Sequence, residues 1–288
     1  MKKAVTIWSE GTKLAADLFT PDDIAPNEKR PAILLCHGWG GLKQHLSSTY
    51  APWWAKSGFI VLTFDYRGWG ESDAKLVPVG EVAQEKDAGE LTIRARTVRE
   101  VVDPFDQIRD ITACLDFLEG EPSVNTERIG LWGSSYGGGH VAHMAAHDPR
   151  VKAVVAQVGA QQMADATITI GRARALARAR GEIGQIPPSE DGVPGLAGTP
   201  DLAKMVRYRP IATADKIRVP TLIIDAADEE LFDRTQNGYL LFQIVSKNAP
   251  ARYETFPCKH YEIYDKYYQP ASNLARDWFI DHLKGSTR

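Results

Sequence analysis

A doubly wound, mostly parallel α/β sheet with an N-terminal β-hairpin and an inserted cap is the architecture that this 288-residue chain predicts. Three observations lead there. Short, nearly continuous apolar runs of strand length recur along the chain, as they do where strands are buried on both faces of a parallel sheet. Stretches of helical character separate many of these runs, which is the strand, crossover, strand rhythm of doubly wound folds. Two segments, Ala74–Val102 and Gly159–Arg209, break that rhythm without starting a second core.

The elements follow in order. Ala4–Trp8 and Lys13–Phe19 are β-rich and separated by Glu10-Gly11, the signature of a hairpin. "AILLC" from Ala32, "FIVLTFD" from Phe59 and "RIGLW" from Arg128 are expected as interior strands, followed by "VKAVVAQV", "TLIIDA" and "ARYETF". Helices are expected at Ser47–Lys56, Pro104–Leu118 and Tyr136–His147, and over the last 15 residues or so. The first interruption is charged and poorly periodic. The second joins "GRARALARARG" to a Gly/Pro-rich loop, which reads as a cap or lid inserted between core strands. The chain thus divides into a core at 1–158 and 210–288 and a cap at 159–209, with no internal repeat.

Composition narrows the function. Hydrophobic residues make up 43% of the chain and charged residues 25%, ordinary globular usage that supplies a sizeable core. A formal net charge of -3 offers no general attraction to nucleic acid or to an anionic membrane, so neither is expected as a partner. The basic start meets Ser9, Glu10 and Lys13 before an apolar region forms, unlike a signal peptide, and no apolar run approaches the about 20 residues of a membrane helix. The three cysteines, Cys36, Cys114 and Cys258, have no metal-like spacing and fit small buried residues in a reducing cytoplasm. The oligomeric state stays open, with a homodimer allowed.

Chemistry concentrates in "IGLWGSSYGGGHVAHMA", Ile129–Ala145, where two serines stand together. Gly133-Ser134-Ser135-Tyr136-Gly137 fits G-x-S-x-G centred on Ser135. A nucleophile on a sharp strand-to-helix turn needs small residues two positions to either side, so that strand and helix can approach. Ser135 has Gly133 and Gly137 there; Ser134 would have Trp132 and Tyr136, which are too large. Ser135 is therefore the candidate nucleophile.

A serine hydroxyl needs a base, and the base needs a group to orient it. Of seven histidines, His140, His143 and His147 lie along the elbow helix and point away from Ser135, and His45 and His282 lack supporting context. His143 and His147 have the i, i+4 spacing of a zinc helix without the glutamate of H-E-x-x-H, so no metal site is expected. His260, in "FPCKHYEIY" after the strand Ala251–Phe256, would reach the same sheet edge as Ser135 and is the candidate base. "PTLIIDAADEELFD" must supply the acid. Asp225 is expected still in the strand, and Glu229 and Glu230 at the start of a solvated helix, which leaves Asp228 as the candidate. The order Ser, Asp, His supports that choice.

These residues together resemble the α/β-hydrolase superfamily over nearly the whole chain apart from the two interruptions. "CHGWGG" at Cys36–Gly41 is similar to the family's His-Gly oxyanion loop, and "DYRGWGES" at Asp65–Ser72 to the turn after its next core strand. The hairpin and "VVDPFDQIRDI" resemble the branch with dienelactone-hydrolase-like, X-prolyl-peptidase-like and polyketide-transferase-like members. The resemblance implies catalysis by Ser135, Asp228 and His260 with no metal or organic cofactor. It also implies an oxyanion hole from the backbone N–H groups of Trp39 and Tyr136, with His37 a hydrogen-bonder within its loop.

The function expected is a serine hydrolase that cleaves a small-molecule acyl compound, most simply a carboxylic ester, through an acyl-enzyme. Acyl transfer and cleavage of an amide, thioester, lactone or carbon-carbon bond stay open on the same scaffold, as does a non-enzymatic binding protein. Trp39, Trp53, Trp54, Trp69 and Trp132 lie near the motifs and are expected either to line an apolar pocket or to pack the core. Arg172, Arg174, Arg178 and Arg180 are expected on a solvated lid helix.

Overall fold

The computed structural model describes residues 1–80 and 89–284. Part of the first interruption and the last four residues of the expected C-terminal helix lie outside the described residues. Eight strands form the central sheet: β1 (Lys2–Ser9), β2 (Thr12–Phe19), β3 (Arg30–Cys36), β4 (Ile60–Phe64), β5 (Val124–Ser134), β6 (Val151–Gln157), β7 (Thr221–Ala226) and β8 (Ala251–Phe256). Their spatial order is β1-β2-β4-β3-β5-β6-β7-β8. The β1/β2 hairpin turns on Glu10 and Gly11, both at positive φ, and β2 joins β4 antiparallel; every later pairing is parallel. This is an α/β-hydrolase fold.

The unbroken apolar runs have a simple cause. Successive side chains on a strand point to opposite faces, and both faces are covered. Leu34, Leu62 and Leu131 pack with Ile111, Leu115 and Val141 of α2 (Pro104–Gly120) and α3 (Tyr136–His147). Their neighbours Leu35, Val61 and Trp132 pack on the other side with Trp54 of α1 (Tyr50–Lys56) and Phe279 of α5 (Tyr268–Phe279). Trp54, Trp69 and Trp132 are therefore core residues, and Trp53 is on the surface. Asp103 caps α2 by accepting from the Phe105 and Asp106 amides, with Pro104 in the first turn where its missing N–H costs nothing.

Between β6 and β7 the chain leaves the sheet for α4 (Asp165–Ala179), a loop, and a short helix at Leu202–Met205 before returning. The first interruption forms an antiparallel ribbon of Lys75–Pro78 with Ala95–Val98. Val101–Val102 then pairs with Thr199–Pro200 of the later excursion, joining the two. Among the described residues no helix is long and apolar enough to cross a membrane.

A buried ion pair fixes the turn after β4. Arg67 donates its Nε and Nη2 to Asp110 Oδ1 at 2.8 and 2.6 Å and its amide to Asp110 Oδ2 at 2.8 Å. Asp110, on α2, is fully buried. Removing one partner of such a pair strands the other charge without water. Asp110→Ala is expected to destabilise the fold by about 3–5 kcal/mol, read as a lower midpoint in urea unfolding.

Candidate active site

Ser135 sits between β5 and α3 with φ 55° and ψ −122°, a backbone conformation that a side chain rarely adopts. The surroundings force it. A Cβ on Gly133 would lie 2.2 Å from the Gly137 carbonyl oxygen, and a Cβ on Gly137 would lie 2.3 Å from that of Cys36. Strand, helix and oxyanion loop thus meet where only glycine fits. Hydrogen bonds complete the clamp: the Ser135 amide donates to the Gln157 carbonyl at 2.9 Å, and the Ser135 carbonyl accepts from the amides of Gly138 at 2.9 Å and Ala160 at 3.1 Å.

Its neighbour is committed elsewhere. Ser134 Oγ lies 2.7 Å from the Tyr264 hydroxyl, donates to the Gln157 carbonyl and accepts from Gln157 Nε2, both at 3.3 Å. Ser134 is buried, and its hydroxyl has no free proton to give up.

The loop after β3 presses on this turn, since a Cβ on Gly38 would fall 2.8 Å from the Ser135 Cβ. Tyr136 opens α3, where an amide has no partner within its own helix. Among the described residues the Trp39 amide donates no hydrogen bond either. His37 is buried with Nδ1 3.1 Å from the Gly38 carbonyl and its ring edge-on to Tyr66. Burial pushes its pKa down to about 4, so it is a neutral part of the loop. Asp65 anchors the loop from below, accepting from the amides of Lys43 at 2.7 Å and Glu71 at 3.0 Å.

His260 follows β8. Its Nδ1 stands 2.7 Å from Glu229 Oε2, and the two side chains are 1% and 2% exposed. Its amide donates to Glu230 Oε2 at 2.9 Å, so consecutive glutamates hold the ring and the backbone of one histidine. Phe232 meets the imidazole edge-on at 5.7 Å. Among the described residues no hydrogen bond joins Ser135 Oγ to His260 Nε2. Catalytic hydrogen bonds in unliganded enzymes are commonly long and tighten around substrate.

The carboxylate that meets His260 is not the one the sequence led us to expect. Asp228 is exposed, and its amide donates to the Cys258 carbonyl at 3.0 Å, extending the β7/β8 pairing past the strand ends. That pairing leaves the next residue, Glu229, to face His260, and the longer side chain spans the gap. Glu229 is not the start of a solvated helix; its carboxylate is as buried as the histidine it meets. The signal in the sequence was three acids in a row, "DEE", and a glutamate serves in such triads as well as an aspartate. Asp225 is buried at the end of β7, accepting from the Tyr253 hydroxyl at 2.9 Å, with Oδ1 lacking a partner among the described residues. Burial raises its pKa to about 7, the Tyr253 hydrogen bond opposing and the Glu229 charge adding.

Of the remaining histidines, His143 and His147 stack on each other along α3. His140 is buried, with Nε2 donating to Gln107 Oε1 at 2.9 Å and Nδ1 accepting from the Tyr208 hydroxyl at 2.6 Å. Burial lowers its pKa to about 3, so it is a neutral tie between α3, α2 and the later excursion.

That excursion reaches the site. The Trp39 indole donates to the Ala197 carbonyl at 2.9 Å, placing the Gly/Pro-rich loop over the oxyanion loop. The arginines of α4 are not uniformly solvated. Arg174 and Arg178, one turn apart, bind Asp191 and Asp201 at 2.8 Å, while Arg172 and Arg180 face water. Lys204 extends the seam to Asp103. A cavity of about 270 Å³ lies between the two excursions, lined by residues such as Lys75, Asp106, Ile186 and Lys204. It includes neither Ser135 nor His260 and is separate from the candidate site.

Comparison with known proteins bears on the family and the fold. Residues 10–185, more than half of the chain, match the model of the X-Pro dipeptidyl-peptidase (S15) family. An uncharacterized 31.7 kDa protein in the traX-finO intergenic region of Escherichia coli is 28% identical over 294 aligned positions, covering 89% of this chain and 93% of that protein. Among solved structures, DcsB in complex with its substrate analogue superposes with a TM-score of 0.74 at 16% identity, over 99% of this chain and 100% of DcsB. Est1E from Butyrivibrio proteoclasticus with bound ferulic acid gives 0.69 at 20% identity, over 98% and 100% of the two chains. With the matching family model and the hydrolase fold together, the chain belongs to the X-Pro dipeptidyl-peptidase (S15) family of the α/β-hydrolase superfamily and is a hydrolase.

Proposed function

We propose that the protein is a serine hydrolase that cleaves a small-molecule acyl compound, most simply a carboxylic ester, with Ser135 as nucleophile, His260 as base and Glu229 as the acid that orients it. The observation that carries this reading is the buried His260–Glu229 pair on the sheet edge that also presents the strained Ser135. Glu229 accepts from Nδ1–H and so fixes the tautomer with a bare Nε2. Ser135 Oγ attacks the carbonyl carbon as its proton passes to Nε2. The Trp39 and Tyr136 amides hold the oxyanion that develops, each worth about 3 to 4 kcal/mol to kcat where such donors have been removed. His260 returns the proton to the departing alcohol, then takes one from water to clear the acyl-enzyme, while Glu229 stabilises the imidazolium in both steps. An ester is favoured because an alcohol leaving group asks less of His260 as an acid than an amine does. The bound ferulic acid of Est1E supports a small carboxylic acid moiety on this scaffold.

The nucleophile is tested with a fluorophosphonate probe. Ser135→Ala is expected to abolish covalent labelling, while Ser134→Ala still labels to completion. Labelling that disappears with Ser134 instead overturns the elbow reading.

The acid is tested in folded variants. Glu229→Gln is expected to lower kcat by roughly 10⁴-fold, the loss seen when a protease triad loses its acid, whereas Asp228→Asn stays near wild type. The opposite ranking returns the role to Asp228.

Asp225 makes stability depend on pH. Its folded pKa of about 7 lies above its ordinary value near 4, so its contribution is full below about pH 4 and is lost as pH rises through 7. Asp225→Asn does not titrate. It is expected to gain on wild type in unfolding free energy from pH 5 to pH 8, by a few kcal/mol at most. Parallel pH profiles for the two proteins would contradict this.

A further inference from the structure

The nucleophile and the base come from turns more than a hundred residues apart, and Ser135 Oγ is not itself bonded to His260. Something else must fix their separation. Among the described residues, one side-chain hydrogen bond joins the two turns: the Tyr264 hydroxyl to Ser134 Oγ, 2.7 Å. Tyr264 ends the single turn of helix, Tyr261–Tyr264, that His260 begins, and its ring centroid is 6.2 Å from the imidazole. Ser134 is the last residue of β5 and is covalently next to Ser135.

We propose that Tyr264 is a positioning residue for the reaction described above, holding the His260 turn in register with the nucleophile through Ser134. This inference rests on the Ser135–His260 reading. The proton assignment gives the bond one direction. Ser134 Oγ–H is spent on the Gln157 carbonyl, so the phenol is the donor and Ser134 the acceptor. Burial raises the phenol above its ordinary value, which keeps it protonated and donating wherever the fold persists.

The network behind Ser134 makes the anchor stiff. Gln157 closes β6 and donates from Nε2 both to Ser134 and to the Tyr50 hydroxyl of α1. Tyr50 in turn packs edge-on against Tyr268, at the start of the helix that follows the His260 turn. Tyr264 is thus tied at its hydroxyl to the ends of two central strands, while its backbone carries the base. Misplacing a catalytic group by about 1 Å can cost on the order of 10²-fold in rate with little change in binding. Loss of the bond should therefore appear in kcat and spare KM.

A double variant separates positioning from packing. Removing one partner of a buried hydrogen bond leaves the other unsatisfied, whereas replacing both with apolar groups is close to neutral for stability. Tyr264→Phe and Ser134→Ala are each expected to lower kcat and the rate of fluorophosphonate labelling by roughly 10- to 100-fold, with KM for a small activated ester within about twofold. Tyr264→Phe/Ser134→Ala is expected to regain melting temperature while its kcat falls no further than the worse single variant, the signature of one shared interaction. The acidic limb of the kcat/KM pH profile should keep its wild-type midpoint, because Tyr264 moves no proton in the reaction.

Folded double variant with wild-type kcat would overturn the inference and reduce the pair to packing; so would losses that multiply, or a displaced acidic limb. Ser135→Ala runs alongside. Activity surviving in Ser135→Ala defeats the nucleophile assignment and the Tyr264 inference with it, whereas an inactive Ser135→Ala beside a wild-type double variant defeats only the role of Tyr264.

Discussion

Everything at the candidate site depends on one residue being held in a conformation it would not choose. Ser135 at positive φ costs about 1–3 kcal/mol on its own. The cost is met by three backbone hydrogen bonds and by the close meeting of β5, α3 and the Cys36–Gly41 loop, where Gly133 and Gly137 leave no room for a Cβ. The same geometry lifts the hydroxyl clear of the sheet and leaves the first amide of α3 without a helical partner. The proposed nucleophile and the proposed oxyanion donor are therefore two products of a single turn, and neither can move without the other.

A second group of interactions serves this turn from a distance. Asp65, Arg67 and Asp110 carry no chemistry in the proposed reaction, yet they are buried and multiply bonded. Asp65 ties the oxyanion loop to the turn after β4, and Arg67 ties that turn to α2. A charge placed in the interior is a weak source of stability but a strict specifier of geometry when every partner is in place. Here it fixes Lys43, just past the loop that carries Gly38 and Trp39, against the turn after β4.

Much of this was legible in the sequence because the forces involved are local. The sheet was readable from apolar runs whose neighbouring residues pack into two different layers, as Leu34 and Leu35 do. The tight turn at Ser135 was readable because sterics two residues away decide it. The acid was not. Asp228, Glu229 and Glu230 are told apart by where each side chain points, and that follows from a bond from the Asp228 amide to Cys258, thirty residues on and in another strand's wake. The arginines of α4 hid in the same way: the partners of Arg174 and Arg178 lie 17 and 23 residues away, one in a short turn and one at the cap of a short helix, where no periodicity leads. Tyr264 left no signal at all, since a tyrosine in a polar turn is ordinary until its hydroxyl is seen to reach Ser134.

The short ladder between Val101–Val102 and Thr199–Pro200 bears on how such a protein can change. It makes the two excursions, inserted at different points of the chain, one piece of surface, with Lys204 meeting Asp103 beside it and Ala197 resting on Trp39. A transplant of either excursion from a relative would arrive without its mate, leaving an unpaired strand edge and stranded carboxylates beside the cavity between them. Changes to this surface should therefore be inherited as matched pairs of loops, and a library that diversifies both together explores a space that single-loop exchange cannot enter.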